Sequence, residues 1–65
     1  MPNLTYSQKL KILRGKETQE EVSKNIGIRR TTLCMYERGL RVPKDEIKRK
    51  LADYFHVTVQ TLFYD

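Results

Sequence analysis

The sequence predicts an all-α domain of five short helices, and three observations support this. Apolar residues recur every three or four positions, and no segment alternates apolar and polar residues as a half-buried strand does. Gly15, Gly27, Gly39 and Pro43 divide the chain into segments of helical length. The chain has 65 residues, enough for one domain with one core, so we expect a single domain over residues 1–65.

The first helix is expected over about residues 7–14. Tyr6, Leu10 and Leu13 recur there at helical spacing, and Gly15 follows. Since Gly adopts left-handed backbone conformations without strain, it commonly ends a helix at this position.

The second helix begins after Thr18. The segment Thr18-Gln19-Glu20-Glu21 has the form of a capping box, in which the Thr18 hydroxyl accepts from the Glu21 N–H and the Glu21 carboxylate reaches back to the Thr18 N–H. Val22 and Ile26 share one face, and Gly27 ends the helix.

The third helix is expected from Arg30 to Arg38, with Leu33 and Tyr36 as its apolar stripe and Gly39 after its end. At about 100° per residue, the side opposite this stripe carries donors and methyl groups without a carboxylate. A face that reads base edges beside phosphates needs this composition. The residues on the outward side are Arg30, Thr31, Cys34, Met35 and Arg38.

The fourth helix is expected to open at Pro43, and Asp45 and Glu46 suit the dipole of its first turn. Thr58 then resembles the N-cap of a short fifth helix. The residues expected to form the core are Tyr6, Leu10, Leu13, Val22, Ile26, Leu33, Tyr36, Ile47, Leu51, Phe55, Val59 and Leu62.

The positive charge lies in the middle of the chain. Residues 29–50 carry eight Lys/Arg and three Asp/Glu, a net charge of +5, whereas residues 51–65 carry −2. A basic segment of this kind is typical of a phosphate-binding surface, although a solvated face has similar composition. Residues 18–38 read as helix, Gly-containing turn and helix, an arrangement that lays its second helix in the major groove of DNA.

Several classes of function are disfavoured. Cys34 is the sole cysteine and His56 the sole histidine, so neither a disulfide nor a metal site is expected, and no cofactor is expected either. No nucleophile and base stand together as an enzyme requires. There is no apolar run of membrane-spanning length and no signal pattern at the N-terminus, so we expect a cytoplasmic protein without membrane contact.

The stretches Leu13 to Val22, Ile26-Gly27-Ile28, Tyr36-Glu37-Arg38-Gly39 and Val42-Pro43 resemble the phage repressor/Cro-type helix-turn-helix family, also called the xenobiotic-response-element (XRE) type. The resemblance covers residues 7–64. It implies the compact five-helix, lambda-repressor-like fold and binding of double-stranded DNA.

The resemblance also implies roles for individual residues. Arg30, Thr31 and Met35 match positions that read bases, as does Gln19 at the groove edge, and Cys34 joins them from its place on the outward face. Arg14 and Glu37 match a structural ion pair that supports the fold and does not contact DNA. The residues expected beside phosphates are Thr18, Arg29, Arg38, Arg41 and Lys44.

Four departures from the family pattern stand out. The loop after the first helix is two residues shorter than the commonest form. Arg29 replaces the usual Ser or Thr, so the recognition helix lacks a side-chain cap. Ser23 replaces a close-packing Ala. His56 stands where Gly is usual, so we expect a left-handed backbone there.

The expected function is sequence-specific binding as a transcriptional regulator, chiefly a repressor, with a homodimer on an inverted repeat. Val57, Phe63 and Tyr64 are candidate dimer contacts, and Ile12 and Tyr64 lie outside the core stripes. An effector-binding domain is not expected, because the chain ends after the fifth helix. Two alternatives stay open: an antitoxin that also captures a toxin, and a protein-interaction adaptor without DNA.

Overall fold

The computed structural model describes residues 4–64 and builds that range from five helices. They are α1 (Tyr6–Arg14), α2 (Gln19–Ile26), α3 (Arg30–Glu37), α4 (Asp45–Tyr54) and α5 (Gln60–Tyr64), the last with π-helical hydrogen bonds. No strand occurs within residues 4–64, so the predicted all-α fold is confirmed. None of these helices is long and apolar enough to cross a membrane.

The complete capping box lies at α1 and not at α2. The Gln8 N–H donates to the Thr5 hydroxyl at 3.2 Å, and the Thr5 N–H donates to Gln8 Oε1 at 2.9 Å. At α2, the Glu21 N–H donates to the Thr18 hydroxyl at 3.1 Å, but the expected return bond from the Glu21 side chain is not formed. Glu21 is exposed, so its carboxylate does not need a partner within the protein.

The α3–α4 connection differs from the sequence prediction at both ends. Arg38 caps α3 and lies outside it, and Gly39 follows with a φ of 72°. The prediction that Pro43 opens the fourth helix is wrong by two residues, since α4 begins at Asp45. Lys44 has an extended backbone (φ −71°, ψ 161°), which a helix cannot include, and Pro43 is buried in the loop instead.

The core is smaller than the predicted set. Five of the predicted residues, Tyr6, Leu13, Ile47, Phe55 and Val59, are only half-buried and pack around it. In a domain of this size most apolar side chains reach the surface on one side. The buried apolar residues are Leu10, Val22, Ile26, Leu33, Tyr36, Leu51, Ala52 and Leu62.

Polar contacts join the later helices to the earlier ones. The Tyr54 hydroxyl donates to the Glu17 carboxylate and accepts from Asn25 Nδ2 at 3.2 Å, which ties α4 to the loop before α2 and to the last turn of α2. The hydrogen bond to Glu17 raises the pKa of Tyr54. Lys9 Nζ donates to the Thr61 carbonyl at 2.6 Å, which ties α1 to α5.

The link between α4 and α5 agrees with two expectations. His56 has a φ of 59°, so its predicted left-handed backbone is confirmed. The Thr58 hydroxyl accepts from the Thr61 N–H at 3.0 Å and therefore caps the last helix as predicted. Phe63 then packs against Tyr6, with ring centroids 5.7 Å apart, so that α5 closes the domain over α1.

Candidate nucleic-acid interface

The turn between α2 and α3 is compact because Gly27 is left-handed, with φ 91° and ψ 31°. The N–H groups of Gly27 and Ile28 both donate to the Ser23 carbonyl, at 2.8 and 3.0 Å. Arg29 returns to an extended conformation, and α3 begins at the next residue. The chain therefore changes direction within residues 27–29, without a long loop that would loosen one helix from the other.

Ser23 lies where α2 packs against its neighbours, and it is 3% exposed. Its hydroxyl donates to the Glu20 carbonyl one turn earlier at 3.0 Å, so burial leaves it with a partner. The side chain is thus small and satisfied, and it fills the position that the family gives to Ala.

The outward side of α3 has the predicted composition. Arg30, Thr31 and Arg38, which caps the helix, are exposed, and Cys34 and Met35 are partly exposed. The eight residues of α3 span about 12 Å at 1.5 Å per residue. That length is close to the major-groove width of about 12 Å, so the helix can lie within a groove.

The acidic residue of α3, Glu37, is turned into the protein and is only 3% exposed. The outward side of α3 consequently carries cationic, hydroxyl and methyl-bearing groups without a carboxylate. As expected, Arg29 makes no side-chain cap at the start of this helix.

Glu37 is held by residues from two other helices. Arg14 Nε donates to Glu37 Oε2 at 2.7 Å, and Arg14 Nη2 donates to Glu37 Oε1 at 3.1 Å. Gln19 Nε2 donates to the same Oε1 at 3.1 Å, and Arg14 Nη1 donates to the Glu17 carbonyl at 2.7 Å. The bond to Glu37 raises the pKa of Arg14. One buried carboxylate thus joins α1, α2 and α3.

The loop after α3 presents further basic residues. Arg41 and Lys44, both expected beside phosphates, are exposed. The Tyr6 hydroxyl donates to the Arg41 carbonyl at 2.9 Å, which fixes the loop backbone against α1 while the guanidinium stays free to extend. Leu40 and Val42 are 65% and 62% exposed in the same loop. The sequence analysis did not single them out as surface residues.

Two lysines of the basic segment 29–50 contact other side chains of the protein. Lys48 Nζ donates to the Tyr64 hydroxyl at 2.9 Å and lies 5.5 Å from the centre of the Phe63 ring. The bond to Tyr64 raises the pKa of Lys48. Lys50 pairs with Glu46 one turn earlier at 3.7 Å. These contacts restrain Lys48 and Lys50 on α4, whereas Arg30, Arg38 and Arg41 on α3 and the loop after it form no ion pair within residues 4–64.

One hydrogen bond between predicted site residues could not be foreseen from the sequence. Gln19 is bound to the end of α3 through Glu37, a contact between residues 18 positions apart. No local motif marks such a contact, and only packing of α2 on α3 produces it. Thr18 is exposed beside Gln19, and Arg29 is exposed at the start of α3.

Two short helices joined by a tight turn, with a second helix whose outward side carries no carboxylate, form a helix-turn-helix domain. The chain belongs to the helix-turn-helix family HTH_3, which matches residues 10–62. This is the XRE-type family that the sequence resembles, so that prediction is confirmed.

The solved structures agree on the fold. The P22 c2 repressor, crystallised with a synthetic operator, superposes with a TM-score of 0.90 over 95% of this chain and 97% of that chain. The two sequences are 17% identical, so this likeness concerns the fold alone. The predicted lambda-repressor-like arrangement of five helices is thereby confirmed.

Curated relatives are similar in sequence. A cryptic phage CTXphi transcriptional repressor, RstR, of Vibrio cholerae is 37% identical over 92% of this chain. Two HTH-type transcriptional regulators of Archaeoglobus fulgidus are 37% and 35% identical over 71% of it. The chain spans 56% of the first relative's length and 66% and 65% of the other two.

Proposed function

We propose that this protein binds double-stranded DNA in a sequence-specific manner and regulates transcription, chiefly as a repressor. One observation carries the proposal: α3 presents exposed Arg30, Thr31 and Arg38 while its acidic residue, Glu37, is buried. A carboxylate on that side would repel phosphates, and its removal leaves the donors and methyl groups that base edges accept.

The residues divide into two roles in this proposal. Gln19, Arg30, Thr31, Cys34 and Met35 contact base edges. Arginine can donate two bonds to guanine, and the threonine methyl can contact that of thymine. The residues that contact phosphates are Thr18, Arg29, Arg38, Arg41 and Lys44; they set affinity and register without reading sequence.

The relatives support a regulatory role, since a repressor and two transcriptional regulators are among them. A repressor of this kind acts in the cytoplasm by occupying a promoter, and two copies on an inverted repeat would read enough bases for a unique site. Neither a toxin partner nor a role without DNA is favoured by a relative named here.

Selection of bound duplexes from a random pool tests the proposal directly. We expect one motif with two inverted halves to be enriched at moderate salt. The matched control is Lys11→Ala, which removes one exposed positive charge from α1, a helix to which no DNA contact is assigned, and should select the same motif. A pool that shows no enrichment, even at low salt, would contradict the proposal.

A further inference from the structure

The Glu37 carboxylate determines which way the side-chain amide of Gln19 faces. An ionised carboxylate only accepts hydrogen bonds, and Arg14 holds Glu37 with bonds at 2.7 and 3.1 Å. The atom of Gln19 that lies 3.1 Å from Glu37 Oε1 must therefore be the nitrogen Nε2, because the carbonyl Oε1 would be repelled there.

This orientation decides what Gln19 can offer to a ligand. Nε2 uses one of its protons on Glu37, and the carbonyl Oε1 has no hydrogen-bond partner within residues 4–64. A free glutamine amide would rotate and offer either end. Gln19 is instead held with an acceptor available, and with at most one further proton as a donor.

We infer that Glu37 is a positioning residue that makes Gln19 select a base with a hydrogen-bond donor in the major groove, adenine first. Adenine offers the N6 amino group to Oε1 and N7 to the remaining N–H, whereas the O6 and N7 of guanine both accept. Glu37 itself is 3% exposed and does not touch DNA. The inference rests on the proposed function, since Gln19 must lie against bases.

The variant Glu37→Met tests this by removing the acceptor. Methionine has a similar length but no carboxylate, so neither proton of Gln19 Nε2 is held and the Gln19 amide can rotate to offer either end. We expect the discrimination for adenine at one position of each half-site to fall about 5-fold or more. A base pair that offers an acceptor at that position should gain.

The variant is expected to fold, because the Arg14 side chain is 23% exposed and its unmatched charge can reach water. The matched control is Glu20→Gln, which removes one negative charge from an exposed residue one position from Gln19. It should raise affinity for all duplexes alike and leave base preference unchanged. Gln19→Ala should lose the preference, and adding Glu37→Met to it should change that position no further.

A measurement without DNA separates this inference from the proposed function. In NMR spectra of the free protein, one Nε2 proton of Gln19 should be protected from exchange with water, and the protection should persist in Glu20→Gln. Two freely exchanging protons would overturn the inference, as would an unchanged base preference in folded Glu37→Met. If the protein binds no duplex, the proposed function fails, and the base preference inferred for Gln19 fails with it. A protected Nε2 proton would then establish only that Glu37 holds the Gln19 amide.

Discussion

At the scale of single residues, His56 shows a conformational cost that the fold accepts. Its φ of 59° lies in the left-handed region, which costs an L-residue with a Cβ roughly 1–2 kcal/mol. The residue is exposed and follows α4, where the chain must turn back toward Thr58. The position thus needs an unusual backbone and makes no demand on the side chain.

The substitution His56→Gly is therefore expected to stabilise the protein. Glycine removes the left-handed penalty but loses more freedom on folding, about 0.5–1 kcal/mol, so the net gain should be about 0.5–1 kcal/mol. Urea denaturation measures this difference in the free energy of unfolding. His56→Ala is the control, because alanine keeps the penalty; an equal gain in both variants would contradict the explanation.

Base preference is also expected to depend on single residues. We expect Arg30→Ala to weaken binding to the selected motif and to relax preference at one position, because a bidentate contact to guanine contributes about 1–3 kcal/mol of discrimination. Thr31→Ala should relax another position. Competition between duplexes that differ by one base pair measures both effects, with Lys11→Ala as the control. A double Arg30→Ala, Thr31→Ala variant that keeps the full preference would disprove these roles.

Sequence reasoning placed most of the outward face of α3 because spacing fixes direction on a helix. Leu33 and Tyr36 define the buried side, and the exposure of Arg30, Thr31 and Arg38 follows from them. The bond between Gln19 and Glu37 did not follow, because it depends on how two helices pack. Whether these side chains contact bases stays a prediction.

At the scale of helices, the contact of Arg14 with Glu37 holds α1 against α3. The Glu37 side chain is 2% exposed and the Arg14 side chain is 23% exposed, so Glu37 needs the contact more than Arg14 does. A buried carboxylate without its cation has no access to water, whereas an unmatched Arg14 is partly hydrated. The loss of Arg14 should therefore cost more than the loss of the Glu37 charge.

We expect Arg14→Met to lower the free energy of unfolding by about 3–5 kcal/mol and Glu37→Gln to lower it by less. The double variant should cost less than the sum of the two, because the two residues share one contact. A domain of this size has a total free energy of unfolding of about 3–10 kcal/mol, so the single variants could leave little folded protein. This double-mutant cycle is therefore best measured in the more stable His56→Gly background. Small and additive effects would show that the contact contributes little.

The loop after α3 is expected to act through charge alone. Arg41→Ala and Lys44→Ala should each weaken binding to all duplexes by a similar factor and reduce the slope of log affinity against log salt by about one unit. Binding isotherms at several salt concentrations measure the slope, and Lys11→Ala should leave it unchanged. An unaltered slope in both loop variants would refute the phosphate contacts.

The helices themselves were predicted well where a local signal exists. Gly27 was predicted to end α2 and Thr58 to cap the start of α5, and the structure confirms both. The predicted start of α4 was wrong because proline suits both the first turn of a helix and an extended loop. Burial of Pro43 in the loop selects the second, and the local sequence does not reveal that burial. The capping box of Thr5 and Gln8 was missed although its sequence signature is present.

At the scale of the whole molecule, residues 4–64 present one short outward-facing helix, α3. We expect two copies to bind together, because a single module of this size reads too few base pairs to define a site in a genome. Tyr64 and Ile12 are 58% and 64% exposed and are available for contacts between copies. Val57 and Phe63 are half-buried against the core and offer less surface than the sequence suggested.

We expect cooperative binding to duplexes that carry two inverted half-sites with centres about 10 bp apart. Shifting the half-sites by about half a turn should abolish cooperativity, because the two copies would then lie on opposite sides of the DNA. Titration against duplexes with one or two half-sites provides the measurement. Equal affinity for one half-site and for two at every spacing would rule out the dimer.

The inward-facing Glu37 also bears on how such a protein would find its target. Because the outward side of α3 carries no carboxylate, we expect any stretch of phosphates to hold the protein loosely. Proteins held in this way slide and hop along DNA. A genome offers about 10⁶–10⁹ competing positions, so most copies would be bound to chromosomal DNA at any moment. The chromosomal DNA would then act as a reservoir of bound protein. Occupancy of the operator would depend on the total number of protein copies relative to genome length, and not on the small amount of protein free in solution.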